Sequence, residues 1–250
     1  MSLFTLSLTL GFVALAMALS YALKLGLERD MLVATVRATI QLLIVGYVLK
    51  AVFDVKGPVL VSLMILLMLA AATQNARKRG APLRGIAWRI LVSIGITEAI
   101  SLALLLGLHM IQPTPRYVIP ISGMIIGNSM INGGLFLNRL KAETAQRKAE
   151  VLVLLALGGT PKQAIRDVLK ASIRASMIPT IDSNKTIGLV QLPGMMTGLI
   201  IAGADPIDAV RYQLLIVFSI MAAAALTSIL LGFLTYPVLF NEHQQLIDFS

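Results

Sequence analysis

Seven apolar runs occupy residues 3–23, 31–49, 57–75, 90–108, 117–138, 186–204 and 212–240 of this chain. Each is close to the roughly 20 residues that a helix needs to cross a hydrocarbon core of about 30 Å. In that medium every backbone N–H and C=O must find its partner within the protein, which leaves helices and closed barrels as the possible folds. Barrel strands alternate in polarity over segments of about ten residues. Runs such as LLIVGYVL and LMILLMLAAA do not alternate. The expectation is an all-α, polytopic integral membrane protein with about seven transmembrane helices, forming a single permease domain over 1–250. Composition agrees, with 57% hydrophobic and 13% charged residues against about 25% charged in soluble domains.

The first run has no basic residue ahead of Lys24 and is longer than a secretory h-region, so it reads as a retained span. The chain has no cysteine, which excludes disulfides and thiolate metal sites. His109 and His243 stand alone and build no metal site.

Lysine and arginine fix the expected orientation. The 77–89 connection carries Arg77, Lys78, Arg79, Arg84 and Arg89 with no acid, and 139–174 carries eight basic residues against Glu143, Glu150 and Asp167. Both are expected in the cytoplasm together with Lys24 and Arg29, leaving Lys50, Lys56, Arg116 and Arg211 outside. With seven spans the N-terminus is then outside and the C-terminus inside. The +9 net charge is mostly this bias, with anionic lipid headgroups as its partners, and it gives no indication of nucleic-acid binding.

The long 139–178 connection contains VLVLLAL at 151–157, too short to span. A helix is expected to end at Gly158 and Gly159, and the next to begin with Thr160 as N-cap and Pro161 in its first turn. Lys162, Arg166, Lys170 and Arg174 then recur every four residues opposite Ile165, Val168, Leu169, Ile173 and Met177. Two readings stay open for this basic stripe: a surface helix on anionic lipid, or a docking helix for a cytoplasmic partner. No G-x-x-x-x-G-K-[ST] phosphate loop occurs, and GGTPKQ lacks its spacing. The chain is therefore not expected to hydrolyse nucleotide or to bind a cofactor. If transport is driven by ATP, a separate subunit must supply the energy at Gly158, Gly159, Thr160, Lys162, Arg166 and Lys170.

Polar residues inside apolar runs nominate a path. Glu98 is the one acid within a span; a carboxylate at the bilayer centre costs on the order of 3 kcal/mol or more, so it faces a path or is paired, with Arg37 as one possible partner. Arg37 shares a helix face with Gln41. Asn128 and Asn132 lie four apart in the fifth run beside Ser129, as interhelical hydrogen-bonding groups or as a polar lining. Gly123 and Gly127 have the spacing that lets helices approach closely. In QLPGMMTG (191–198), Pro193, Gly194 and Gly198 break helical pairing, so carbonyls near Gln191 are freed. Freed backbone at membrane depth survives only inside protein or against water, which marks a path lined by Gln191, Met195, Met196 and Thr197. The alternative is a kinked, packed helix. Asp182, Asn184 and Lys185 are expected at the cytoplasmic mouth of that sixth span.

The strings MIIGN (124–128), LNRL (137–140), ALGGTPKQA (156–164), MIPTIDSNKTIGLVQLPGMMTG (177–198) and DAVRYQ (208–213) resemble the FetB-type iron-export permease family, to which plant aluminium-tolerance proteins are related. The likeness runs from about 31 to 240. It implies the membrane subunit of an ABC transporter, working with a separate ATPase that hydrolyses ATP, and export of iron for bacterial members or of a sugar nucleotide for some plant ones. ALGGTP is also similar to the EAA-type coupling loop of ABC importers, although Glu150 stands farther from Gly158 than that motif places its acid. No metal ligands come with the resemblance.

The resulting expectation is a dimeric permease subunit in the cell membrane, the inner one in a Gram-negative bacterium, with an ATPase docked on 139–178. Spans four, five and six line the path for a metal ion, iron first. A proton-coupled secondary transporter or channel using Glu98 is the rival. A scaffold or intramembrane enzyme is a poorer fit, since no nucleophile, base or metal cluster gathers in the spans.

Overall fold

The computed structural model describes residues 3–55, 57–80 and 83–247. Lys56, expected outside the membrane, lies beyond the described residues. The chain divides into two compact units, residues 1–57 and 58–250.

The first unit is a helical hairpin of α1 (Leu3–Ala22) and α2 (Glu28–Val55). Its turn uses left-handed backbone at Lys24 and Gly26 and is closed by Ser20, whose Oγ donates to Glu28 Oε1 at 2.7 Å while accepting from the Leu27 N–H at 3.3 Å. Outside that turn, α2 exposes apolar side chains such as Val36, Ile40, Leu43 and Ile44 on all sides, as a helix facing lipid tails does. Arg37 and Gln41 lie with Val33 and Val36 along a shallow hollow on α2.

The second unit contains α3 (Pro58–Gly80), α4 (Ile86–Gly107), α5 (Pro115–Gln146), α6 (Lys148–Ala156), α7 (Pro161–Ala164), α8 (Arg166–Thr186), α9 (Gly194–Ile201) and α10 (Pro206–Thr235), followed by a 3₁₀ turn at Tyr236–Leu239. No strand forms among the described residues; the isolated bridges Ile187 to Gln191 and Phe240 to Leu246 are the extended pairings. Helices α2, α3, α4, α5 and α10 are long and apolar enough to cross a bilayer. The chain is an all-α, multi-pass membrane protein.

Side-chain contacts set the helix directions. Arg89 Nε donates to the Leu234 carbonyl (2.7 Å) and Thr227 Oγ1 to Thr97 Oγ1 (3.1 Å), so α4 runs antiparallel to α10. Ser176 meets Ser228 at 3.1 Å and Asn184 meets Met221 Sδ at 3.6 Å, so α8 is also antiparallel to α10. The core at the basic end centres on Ile90, Phe136, Leu140, Ile165 and Leu231; a second cluster of Leu105, Ile111, Ile121, Ile125 and Ala223 fills the other end. Amphipathic side chains mark both levels. Tyr117 stacks on Tyr212 with ring centroids 6.1 Å apart, next to Arg116 and Arg211, while Trp88, Arg89 and Tyr236 gather at the opposite end. From Tyr212 to Leu234 α10 rises about 33 Å at ~1.5 Å per residue, which matches a hydrocarbon core of roughly 30 Å between two interfacial belts.

Two features depart from the sequence reading. Helix α8 is not a surface helix: Val168, Ser172 and Ser176 are buried against α5 and α10, and the helix climbs beside α10 to its middle. The stripe of small and hydroxyl side chains, not the basic stripe, decides its place, because serine permits close approach and ties its hydroxyl to the next helix. The 186–204 stretch is accordingly not one span. Thr186 ends α8, residues 187–193 are irregular, and α9 has eight residues, about 12 Å of rise. Together α8, the break and α9 follow α10 from one belt toward the other as a discontinuous helix. Of the pair expected to allow close approach, Gly123 faces Met68 of α3, with a Cβ there 3.7 Å from Met68 Cε, while a Cβ on Gly127 would meet nothing within 4 Å; the tighter contacts fall lower, at Gly134, 2.8 Å from Arg79 Cδ, and Gly133, 3.5 Å from Leu231 Cδ2.

Candidate functional site

The break has local causes. Gly188 takes φ +86°, its N–H bonds the Gln191 carbonyl at 3.0 Å, and Pro193, which has no N–H to offer a preceding turn, stands as N-cap of α9. The chain therefore leaves the helix for seven residues at the level of Gln213 to Ile220 on α10 and resumes as α9. A cavity of about 350 Å³ opens there, walled by α5, the end of α8, the break and α10.

Of the residues nominated from sequence, Asn128, Asn132, Gln191, Pro193, Gly194 and Met195 line this cavity. Asn128 Nδ2 donates to the Met124 carbonyl at 2.9 Å. Asn132 Nδ2 donates to Thr180 Oγ1 on α8 at 3.2 Å and to the Asn128 carbonyl at 3.3 Å, while Asn132 Oδ1 is buried without a donor. Gly198, Met196 and Thr197 are not among the lining residues; the Thr197 hydroxyl donates to the Pro193 carbonyl at 3.1 Å and so satisfies the first turn of α9.

Glu98 is also outside this cavity, and no α4 residue lines it. The Glu98 carboxyl is buried between α4 and α5 facing Ser122; neither of its oxygens nor the Ser122 hydroxyl completes a well-formed hydrogen bond among the described residues.

Sequence reasoning missed Thr180, Ser183 and Gln213, which complete the lining, and misplaced Asn184. Gln213 is 8% exposed and its Oε1, like Asn132 Oδ1, has no donor. Two residues of the lining, Asn132 and Gln213, thus each keep an amide oxygen buried with no donor, and no carboxylate is among the lining residues. Such oxygens lose water without replacement, at a cost of about 1–3 kcal/mol each, and suit a ligand that brings positive charge or donors. The signal for these residues was the polar run TIDSN at 180–184. It was assigned to a cytoplasmic mouth because it directly precedes the run 186–204, read as the sixth span.

In the structure Asp182 and Lys185 form an ion pair of 2.8 Å on the last turn of α8, at the level of Met221, midway between the two aromatic belts. Their side chains are 58% and 68% exposed.

At the basic end, Thr160 and Gln163 form a reciprocal capping box, with Thr160 N to Gln163 Oε1 at 2.8 Å and Gln163 N to Thr160 Oγ1 at 3.4 Å. Gly158 takes φ +85°, and a Cβ on Gly159 would lie 2.7 Å from the Leu154 carbonyl oxygen, so this tight turn demands glycine at both positions. It projects Leu157, which is 80% exposed. Lys162 of α7 and Arg166 and Lys170 of α8 line a groove formed with α10. No group of three or more His, Asp or Glu that could hold a metal ion occurs among the described residues.

The family model of UPF0014, described as an uncharacterised protein family, matches residues 3–240. The chain belongs to this family. Among similar UPF0014 proteins, the membrane protein YjkA of Bacillus subtilis (strain 168) is 57% identical, covering 97% of both chains. The probable iron export permease protein FetB of Escherichia coli (strain K12) is 42% identical over 97% of this chain and 94% of its own. Protein ALUMINUM SENSITIVE 3 of Arabidopsis thaliana is 36% identical over 94% of this chain and 86% of its own. No solved structure matches significantly. This UPF0014 chain therefore falls among membrane permease proteins, in the family that its sequence strings resembled.

Proposed function

We propose that this chain is the permease subunit of an ATP-driven exporter, that two copies form the path, and that a separate ATPase docks on the turn at Leu157–Thr160. The observation that carries the reading is the exposed Asp182 and Lys185 pair at mid-depth, beside the helix break. Charged groups at that level are unfavourable against lipid by several kcal/mol, so this face borders water, and a second copy closes it off from the bilayer. Discontinuous helices with binding groups near the midplane are how membrane transporters build substrate sites.

The cargo is a metal cation, iron first. The Escherichia coli relative's name, probable iron export permease, supports iron and export, and the amide oxygens of Asn132 and Gln213 supply the oxygen ligands that hard cations prefer. Neutral amides hold a cation less tightly than carboxylates do, which favours release as much as entry. The test is ATP hydrolysis by the reconstituted permease with its ATPase across a panel of metal ions and sugar nucleotides. Stimulation by iron with ATP-dependent efflux is the expected result. Stimulation by a sugar nucleotide alone rejects the cargo, and hydrolysis indifferent to the permease rejects the coupling.

The unpaired Glu98 carboxyl favours a second reading, a proton-coupled carrier. Uphill flux by the permease in liposomes without any nucleotide-hydrolysing partner, abolished in Glu98→Gln, would establish it. Under the ATP-driven reading Glu98→Gln leaves transport within about twofold, because Glu98 lies outside the cavity.

A further inference from the structure

The sequence left Lys162, Arg166 and Lys170 open between two occupants, anionic lipid and a cytoplasmic partner. Lys162, Arg166 and Lys170 rim a cavity of about 460 Å³ whose floor is Leu169 and Ile173 of α8 with Ile229, Gly232 and Phe233 of α10, and Tyr236 at its end. The floor has a structural cause. Helix α10 presents Ile229, Gly232 and Phe233 along one face, continued by Tyr236 of the 3₁₀ turn, and Gly232, with no side chain, lets Ile173 of α8 pack close: a Cβ there would meet Phe136 Cζ at 3.4 Å and Ile173 Cδ1 at 3.6 Å. Ile229 is 40% and Phe233 57% exposed, so the groove opens on the outside of the bundle. Its depth is set by Trp88, 68% exposed, and by Tyr236, the amphipathic residues of the basic belt.

The groove therefore has an apolar floor below the belt and three cations at it, the two halves of an anionic phospholipid in the right order. We propose that this groove between α8 and α10 binds one anionic phospholipid, its phosphate on Lys162 and Arg166 and an acyl chain along Ile173, Ile229 and Phe233. Asp167 is the acid nearest the rim. It holds Lys170 at 3.9 Å, with both side chains solvated, so Lys170 contributes less than the other two. A protein partner is a poorer occupant, since the apolar floor lies on the bilayer side of the aromatic belt. The inference does not rest on the transport reading, because it concerns a groove that shares no residue with the transport cavity.

The test is native mass spectrometry and fluorescence binding on the full chain in mixed micelles, with phosphatidylglycerol as probe and phosphatidylcholine, inorganic phosphate and glycerol phosphate as competitors. Wild type retains about one phosphatidylglycerol that none of these competitors displaces. Lys162→Gln with Arg166→Gln weakens its binding on the order of tenfold or more, since each basic residue near such a headgroup is worth about fivefold. The control pair Arg77→Gln with Lys78→Gln, exposed at the end of α3, changes it less than twofold. Ile229→Trp fills the groove without touching a charge and also weakens binding. Equal retention by wild type and the Lys162/Arg166 variant, or displacement by phosphatidylcholine or by free phosphate, would overturn the proposal. So would loss of ATPase association in that variant with lipid retention intact, which would give the cations to the partner.

Discussion

Replacing Asn132 by leucine separates a packing role from a binding role, because the two predict opposite changes. Leucine is close to asparagine in size, so the substitution opens little space. It removes the hydrogen bond from Asn132 Nδ2 to Thr180 Oγ1 at 3.2 Å and a long one to the Asn128 carbonyl at 3.3 Å. Interhelical bonds of this kind average about 0.6 kcal/mol in membranes and reach about 1.7, and Thr180 can turn its hydroxyl to its own helix instead. The substitution also removes Asn132 Oδ1, buried with no donor, which relieves about 1–3 kcal/mol of desolvation. The net change in stability is then between about zero and 2 kcal/mol in favour of the variant. If the orphan oxygen binds the cargo, a hydrogen bond or ligand bond to a charged group is lost, about 1.5–3 kcal/mol, or 10- to 150-fold in affinity. Thermal unfolding followed by size-exclusion chromatography, together with cargo-stimulated ATP hydrolysis in proteoliposomes, measures both. A variant that loses more than about 1 kcal/mol of stability yet transports normally would refute the reasoning, since the asparagine would then be interhelical glue.

Gly80→Val destabilises the basic end by about 1–3 kcal/mol, because a Cβ there would fall 2.6 Å from Ile86 Cγ1 and 3.0 Å from Leu137 Cδ1; a lowered unfolding temperature in detergent checks it. The chain has no cysteine, so single cysteines report accessibility cleanly: Asp182→Cys in the assembled permease reacts with a membrane-impermeant maleimide, and Phe218→Cys, exposed on α10 at similar depth, does not. Equal protection of both would remove the water-filled face. Leu157→Asp, on the exposed tip of the α6 to α7 turn, leaves the unfolding temperature unchanged and reduces co-purification of the ATPase at least tenfold.

The fold class and the site were legible to different degrees, for physical reasons. Hydrocarbon solvent makes the apolar runs decisive, so α2, α3, α4, α5 and α10 could be read directly. The N-cap at Thr160 and the turn at Gly158 and Gly159 are local chemistry and were equally plain; the reciprocal bond from Gln163 was not read. Helix α8 was not, because its place depends on which of two faces wins. One face carries Lys162, Arg166, Lys170 and Arg174; the other carries Val168, Ser172 and Ser176. A rule that weighs charge sends the helix to the surface. In the structure the basic side chains stay exposed while the serine face docks on α5 and α10, a resolution that the neighbouring helices decide. Starting the sixth span at 186 put Asp182 and Asn184 at a mouth, whereas α8 runs to Thr186 beside α10 at the level of Met221, and it left Thr180 out of the candidate site.

That placement also bears on how a motor outside the bilayer could work a cavity inside it. Helix α8 has 21 residues, about 31 Å at ~1.5 Å per residue. Its base follows the turn at Leu157–Thr160 after the single helical turn of α7, and its far end is the break that walls the cavity. The proposed docking turn and the cavity therefore lie toward opposite ends of α8, which packs on α5 and α10 between them. Pro179 sits inside that helix one residue before Thr180, where the missing N–H leaves the Ala175 carbonyl without its helical donor and gives the upper turns freedom to bend. A displacement at the base thus reaches the cavity as movement of Thr180, the residue that accepts from Asn132. Breaking that one interhelical bond frees Asn132 Nδ2 and reorients the orphan oxygen beside it. At about 0.6 kcal/mol for such a bond, the switch is small against the energy an ATPase supplies.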